Sequence, residues 1–359
     1  MKGDFSHNDK KQRYHLLIIS PLRRDACEQG KKYPQSRLRF LWATDILNIS
    51  KRPAKPEQHI FRYAAGAILR VKGTIHMFKY GVACSMSDVS TTAPIILRGP
   101  IEQLCQQAKE IGYDGLEIQL ANPMQYDWSA IRKTCGDYGL DLITFATGRE
   151  LGENGLCLLS DDEKVRRAAI ARLKEHIDCA QVAGCQVIVG SMRKHVPDWS
   201  QSDKYLGYHR DAIVELADYA KDKGVRIWVE NILSFISNFL NTMREVQDFV
   251  VSLPCDNVGV HLDTYSMNME DNDIPAAYRY CAKNLEYVHF SDTARLYPGG
   301  GNVDFKTHMR CLKEVGYTGY ITTECVPLPT AYDCAKNGFE YMKAMEKIVE
   351  IEMGASRFA

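Results

Sequence analysis

Val225-Arg226-Ile227-Trp228-Val229-Glu230-Asn231 is a short apolar run that ends in a carboxylate, entered from Lys223-Gly224. Four of its first five residues are apolar. A run that short and that apolar predicts a parallel strand buried on both faces, with Glu230 at its C-terminal end. Three later segments repeat the arrangement with a different polar end. Val258-Gly259-Val260-His261-Leu262 runs into Asp263, Leu285-Glu286-Tyr287-Val288 into His289, and Tyr320-Ile321-Thr322-Thr323 into Glu324.

Upstream, the same spacing predicts strands at 79–84, 116–120, 140–146 and 186–190. Between and after the strands, apolar periodicity near 3.6 predicts helices over 101–111, 128–138, 160–183, 203–223, 242–253, 274–282, 306–315 and 331–351. Most strands are entered through a glycine at the preceding helix end. Eight strand–helix units in strict alternation predict one closed α/β barrel of the (β/α)8 type over residues 77–359.

Residues 1–76 are different. They hold 16 Lys+Arg against 6 Asp+Glu, while the remainder holds 29 against 39. Periodicity is weak there, and Lys-Arg-Pro-Ala-Lys-Pro at 51–56 reads as solvated loop. A basic, poorly structured extension that is not part of the fold is the reading we adopt, with the natural start placed at Met77. A nucleic-acid arm is the alternative from charge alone, and the acids Asp4, Asp9, Asp25 and Glu28 argue against a transit peptide. The formal net charge of the whole chain is zero, which gives no general pull toward nucleic acid or membrane. No apolar run reaches the roughly 18 residues of a membrane span. Twelve scattered cysteines, with no Cys-x-x-Cys pair, read as reduced thiols of a cytoplasmic protein.

In such a barrel the C-terminal strand ends meet at one mouth. Glu230, Asp263, His289 and Glu324 end strands five to eight and are expected to converge there. Singly, an acid after a strand is a helix cap and a histidine is a core residue; four at successive strand ends are a metal-ligand set. Three carboxylates and an imidazole suit a divalent cation, Mn²⁺ first, with Mg²⁺ or Co²⁺ as alternatives and Zn²⁺ less suited. His261 shares the inward side of Asp263 and reads as an interior residue behind the cluster rather than as a ligand. Arg149 and the turn Gly299-Gly300-Gly301 also face the mouth. They are candidates for a substrate carboxylate or phosphate, with a loop ion pair and a tight turn as their structural alternatives.

Two of the four expected ligands are glutamates on opposite sides of the mouth. That arrangement suits proton transfer at a carbon next to a carbonyl: the metal acidifies the C–H, one carboxylate removes the proton and the other returns one to the opposite face. A planar cis-enediolate lies between, and the net reaction is epimerisation.

Trp-Val-Glu-Asn at 228–231, His-Leu-Asp-Thr-Tyr-Ser-Met-Asn at 261–268, Val-His-Phe-Ser-Asp-Thr-Ala-Arg from Val288 and Thr-Thr-Glu-Cys-Val-Pro from Thr322 together resemble the sugar isomerase/epimerase superfamily. Within it they are similar to the D-tagatose 3-epimerase branch, over about residues 78–350. The resemblance implies a metal-dependent isomerase acting on a keto sugar or keto-sugar acid. It implies Mn²⁺ or a similar ion on Glu230, Asp263, His289 and Glu324, and Glu230 and Glu324 as the acid/base pair. It further implies substrate contact at Arg295 and a dimer or tetramer. A surface ion pair is the structural alternative for Arg295.

Two positions depart from the family pattern. Ser266 stands where the family often has a histidine that helps hold the substrate. Leu233-Ser234-Phe235-Ile236 replaces an Asn-Arg-Tyr-Glu pattern, so a second acid is absent and Ile236 takes its place. Both changes point to a substrate less polar, or larger, than a free ketohexose. A barrel endonuclease is disfavoured, because the barrel part is acidic and extra histidines are missing from strands two and three. A metal-dependent lyase of oxidised C-glycosides with a partner subunit would share the four ligands, and a non-catalytic sugar-binding barrel is the third alternative.

Overall fold

The computed structural model describes residues 78–356. The expectations for residues 1–76 lie outside the described residues. Eight parallel strands form the barrel: β1 (Lys79–Ser85), β2 (Gly115–Gln119), β3 (Asp141–Ala146), β4 (Gln186–Val189), β5 (Ile227–Glu230), β6 (Val258–Asp263), β7 (Leu285–Phe290) and β8 (Tyr320–Thr323). Each pairs with the next, and β8 returns to β1, Lys79 opposite Tyr320 through Val82 opposite Thr323. A two-residue strand, Leu97–Arg98, pairs with the end of β1. The closed (β/α)8 barrel expected from the alternation is therefore the observed fold.

The helices are α1 (Ile101–Ile111), α2 (Trp128–Asp137), α3 (Arg149–Asn154), α4 (Glu163–Ala183), α5 (Ser202–Lys221), α6 (Met243–Ser252), α7 (Thr264–Glu270), α8 (Ile274–Cys281), α9 (Phe305–Glu314) and α10 (Ala331–Ser356). Their limits follow local chemistry. Asp127, Asp162, Asp273 and Asp304 each accept a backbone N–H in the first turn of α2, α4, α8 and α9, and α6 opens on a reciprocal Thr242–Glu245 capping box. The sequence did not announce α3 and α7, which are short and lie at the mouth. None of the described helices is long and apolar enough to cross a membrane.

One apolar layer packs the helices onto the outer face of the barrel; Val82, Leu116, Val187, Val229, Val260 and Ile321 are all buried in it. Inside the barrel a second, smaller cluster forms a floor: Ile143, Ala146, Ile188, Trp228 and Tyr287. Trp228 stacks on Tyr287 with ring centroids 4.6 Å apart. Inward positions alternate along each strand, so the next inward residues above this floor are Glu230 on β5 and His289 on β7. Water-excluding packing below thus supports charged groups above.

Candidate active site

One ligand atom from each of Glu230, Asp263, His289 and Glu324 lies within 4.8 Å of all the others. The four strand ends expected to converge do so. Asp263 and His289 are fully buried, and Glu324 is nearly so.

Each side chain is held from behind. Asn231 clamps the ends of β5 and β6: its Oδ1 accepts the Asp263 N–H at 2.7 Å and its amide donates to the Asp263 carbonyl. Asp263 caps α7, with Oδ1 accepting the Ser266 N–H at 2.7 Å, which leaves Oδ2 facing the cluster. His289 is oriented by Glu117, whose Oε2 accepts from Nε2 at 2.6 Å. Nδ1 is the ring nitrogen left facing the cluster. That atom is buried without a hydrogen-bond partner, 3.5 Å from Glu324 Oε2 and 3.7 Å from Glu230 Oε1.

Glu117 and Gln119 were not singled out in the sequence, and both belong to the site. Gln119 Nε2 donates to Glu117 Oε1 at 3.0 Å and to Glu324 Oε1 at 2.8 Å. Tyr287 donates its hydroxyl to Glu117 Oε2 at 2.8 Å. The available signal was a carboxylate within the apolar strand Leu116–Leu120, two residues before an amide on the same side. A buried carboxylate demands partners. Gly190 is the third residue missed. It follows β4 against Glu230, and a Cβ there would overlap Glu230 Oε2, so a larger residue would displace the Glu230 carboxylate.

Arg295 donates to Asp263 Oδ2 at 2.6 Å and to Glu324 Oε2 at 2.7 Å, and its guanidinium lies 4.8 Å from the Tyr265 ring centroid. It is thus part of the cluster and not a surface ion pair. Burial would lower both cations, but the carboxylates outweigh it. Glu117 and Glu324 hold His289 well above its usual value, and Asp263, Glu324 and Glu230 raise Arg295. Burial pushes Glu324 up to about 7, against the opposing pull of His289 and Arg295. Burial, then the charges of His289 and Arg295, keep His261 far below its usual value and neutral.

The donor set fits a divalent cation. Glu117, Glu230, Asp263 and Glu324 put four carboxylates against one guanidinium and one imidazole, and an uncompensated buried negative charge is costly. An orphaned imidazole nitrogen faces the same point, and oxygen donors dominate, as hard divalent ions prefer. Glu117→Gln is expected to lower metal affinity by about 10–100-fold, because it removes the carboxylate that fixes the His289 tautomer. Titration of the chelator-stripped protein with Mn²⁺ measures it, and an unchanged affinity would show that Glu117 is only core.

Two expected anion-binding groups are engaged by the protein itself. Arg149 pairs with Glu153 at 2.6 Å and donates to the Ser85 and Ser87 hydroxyls and the Gln119 and Asp88 carbonyls. It braces the mouth through these bonds and also lines the cavity there. Gly299 and Gly301 donate their N–H groups to Asp292, so the glycine-rich turn has its anion already. Ser266 is buried behind Asp263 and does not line the cavity.

A cavity of about 280 Å³ opens over the cluster. Its lining is mixed: Gln119, Arg149, Glu230, His289, Arg295 and Glu324 are charged or polar, and Ile95, Ile188, Ile232 and Ile236 are apolar. A larger cavity, about 500 Å³, lies at the strand N-terminal ends. Its carboxylates are already paired, Glu286 with Arg226 and Trp228 and Asp141 with Lys79 and Tyr320, and it has no metal-type donor set.

Fold and cluster together define a (β/α)8 barrel with a mixed carboxylate–imidazole centre at its mouth. The chain belongs to the xylose isomerase-like TIM barrel family, whose model matches residues 105–345. A ketose 3-epimerase of Arthrobacter globiformis is 30% identical over 224 residues, covering 61% of this chain and 75% of the relative. An L-ribulose 3-epimerase of Methylomonas sp. (strain DH-1) is 32% identical over 225 residues, 60% of this chain and 75% of the relative. These relatives place the chain with the carbohydrate epimerases, a class of isomerases. A solved L-ribulose 3-epimerase structure covers 78% of this chain and 98% of its own, with TM-score 0.68 at 21% identity, a likeness of fold.

Proposed function

We propose that the protein is a divalent-metal-dependent epimerase of a keto sugar or keto-sugar acid, working by proton removal and return next to the carbonyl. The observation that carries this reading is the meeting of Glu230 and Glu324, from β5 and the end of β8, at one point with Asp263 and His289. A cation held by these four, Mn²⁺ by preference for oxygen-rich sites, would polarise the carbonyl and its neighbouring hydroxyl. Glu230 and Glu324 then act as a pair: one carboxylate takes the proton, and the other, protonated, delivers one to the opposite face. Gln119 and Arg295 each donate to one Glu324 oxygen, and the Arg295 fork can turn from them to a substrate oxygen. The 77–359 barrel is the proposed functional unit, and the eleven free cysteines among the described residues support a reducing, cytoplasmic setting.

The apolar part of the lining bears on substrate choice. Ile236 lines the cavity where a polar partner for a sugar hydroxyl would be useful, beside Ile232 and Ile188. A substrate with a less polar distal end fits these isoleucines better than a fully hydroxylated free ketohexose.

The test is solvent exchange. The full chain with Mn²⁺ in D₂O is offered ketohexoses, ketopentoses and keto-uronates, and NMR follows deuterium at carbon. Deuterium next to the carbonyl, together with a second epimer, is the expected result. Tight metal binding with no exchange on any of them would overturn the reading. Turnover confined to D-tagatose or D-psicose would sink the less-polar-substrate part alone.

A further inference from the structure

We propose that His261 forms, with Glu230 and His289, a second and deeper seat for a metal ion, one that takes borderline cations such as Zn²⁺ or Co²⁺. This rests on the reading that the mouth binds a divalent ion, and it concerns which ion goes where.

His261 lies on β6 two residues before Asp263, on the same inward side and one layer lower, opposite Tyr287 in the β6–β7 ladder. Its ring is completely buried, and neither Nδ1 nor Nε2 has a hydrogen-bond partner. A neutral imidazole carries one N–H and one lone pair, and each is costly when buried unpaired. Such a group calls for a partner the polypeptide does not supply. Two other metal-type donors lie beside it. One ligand atom from each of Glu230, His261 and His289 lies within 4.8 Å of the other two, and the His261 and His289 rings meet edge to face at 4.2 Å.

His209 provides the contrast. Both its nitrogens are also buried without partners, but its ring sits against Phe239 and Phe249, and it belongs to no donor group. Unpaired nitrogens alone therefore do not make a seat. One nitrogen of His261 lies within 4.8 Å of a ligand atom of the Glu230 carboxylate and of the His289 imidazole.

The two seats share Glu230 and His289, so one ion occupies one of them at a time. The upper seat offers three carboxylates and one imidazole; the lower offers two imidazoles and one carboxylate. Oxygen-rich sets favour Mn²⁺ and Mg²⁺, and imidazole-rich sets favour Zn²⁺, Co²⁺ and Ni²⁺. An ion in the lower seat has left Asp263 and Glu324, and with them the acid/base pairing proposed above. The deeper seat would thus make Zn²⁺ a tightly bound but poorly active metal.

The experiment strips the full-length protein with a chelator and titrates Mn²⁺ and Zn²⁺ separately against a chromogenic competitor, in wild type, His261→Leu and Asp263→Asn. His261→Leu is expected to weaken Zn²⁺ by at least about tenfold and leave Mn²⁺ within about threefold; Asp263→Asn should do the reverse. X-ray absorption at the zinc edge of the wild-type protein needs no variant: two imidazoles per zinc are expected, and one would overturn the proposal. An unchanged Zn²⁺-to-Mn²⁺ affinity ratio in His261→Leu would overturn it as well. Failure of the wild-type protein to bind either metal would instead remove the mouth site itself.

Discussion

Glu230→Gln and Glu324→Gln are each expected to abolish epimerisation, lowering kcat by about 10²–10⁴-fold, while the barrel stays folded. Glutamine keeps the size and one oxygen of the side chain but can neither accept nor deliver the proton at neutral pH. The two variants should differ in a way that a merely structural role does not produce. Epimerisation needs both carboxylates, one on each face. Exchange of a substrate proton with solvent needs only the carboxylate that faces it. Glu230→Gln should therefore still exchange deuterium into one epimer, and Glu324→Gln into the other, with neither forming the opposite epimer. Deuterium incorporation from each pure epimer, followed by NMR alongside metal content, reads this out. Loss of exchange from both epimers in both variants, with metal retained, would mean that the two glutamates are not a two-face pair.

How far this site is legible in the sequence depends on how local its parts are. Glu230, Asp263, His289 and Glu324 could be found because each ends its own apolar run and the barrel topology supplies the convergence. Glu117 could not be placed the same way. It lies within its strand, and its partners Tyr287 and His289 are 170 and 172 residues away. Gly190 is silent for a related reason, since a glycine at a strand end carries no sign that a carboxylate will lie against it. Asp263 hides a helix: its carboxylate caps α7 as well as facing the cluster, and a residue that suits both roles does not announce the second. Arg149 and the glycine turn show the converse. Their chemistry suited an external anion, and the internal partners Glu153 and Asp292 that they meet lie outside the reach of local sequence pattern.

Asp292→Ala is expected to cause the largest loss of stability at the mouth. The Asp292 side chain is fully buried and accepts four backbone N–H groups. Thr293 and Val303 donate to Oδ1 at 2.7 and 2.9 Å, and Gly299 and Gly301 to Oδ2 at 3.0 and 2.9 Å. Gly301 permits the approach, since a Cβ there would overlap Oδ1. These bonds fold the 292–303 segment back on itself and fix Ala294 and Arg295 at φ of 59° and 58°. Left-handed backbone at a non-glycine residue costs about 1–3 kcal/mol and persists only where the surroundings enforce it. Removing the carboxylate strands four amides at about 1–3 kcal/mol apiece when buried, offset by water reaching the exposed turn. A net loss of about 3 kcal/mol lowers Tm by roughly 6–12 °C in a barrel of this size. Asp292→Asn should recover little of this, because its NH₂ is turned toward N–H donors that need an acceptor. Function should fall with stability, since Arg295 loses the backbone that aims it at Asp263 and Glu324. Calorimetry and Mn²⁺ titration of both variants measure the two effects. If Asp292→Asn melts like the wild type and binds metal unchanged, the turn holds itself and Asp292 does not position Arg295.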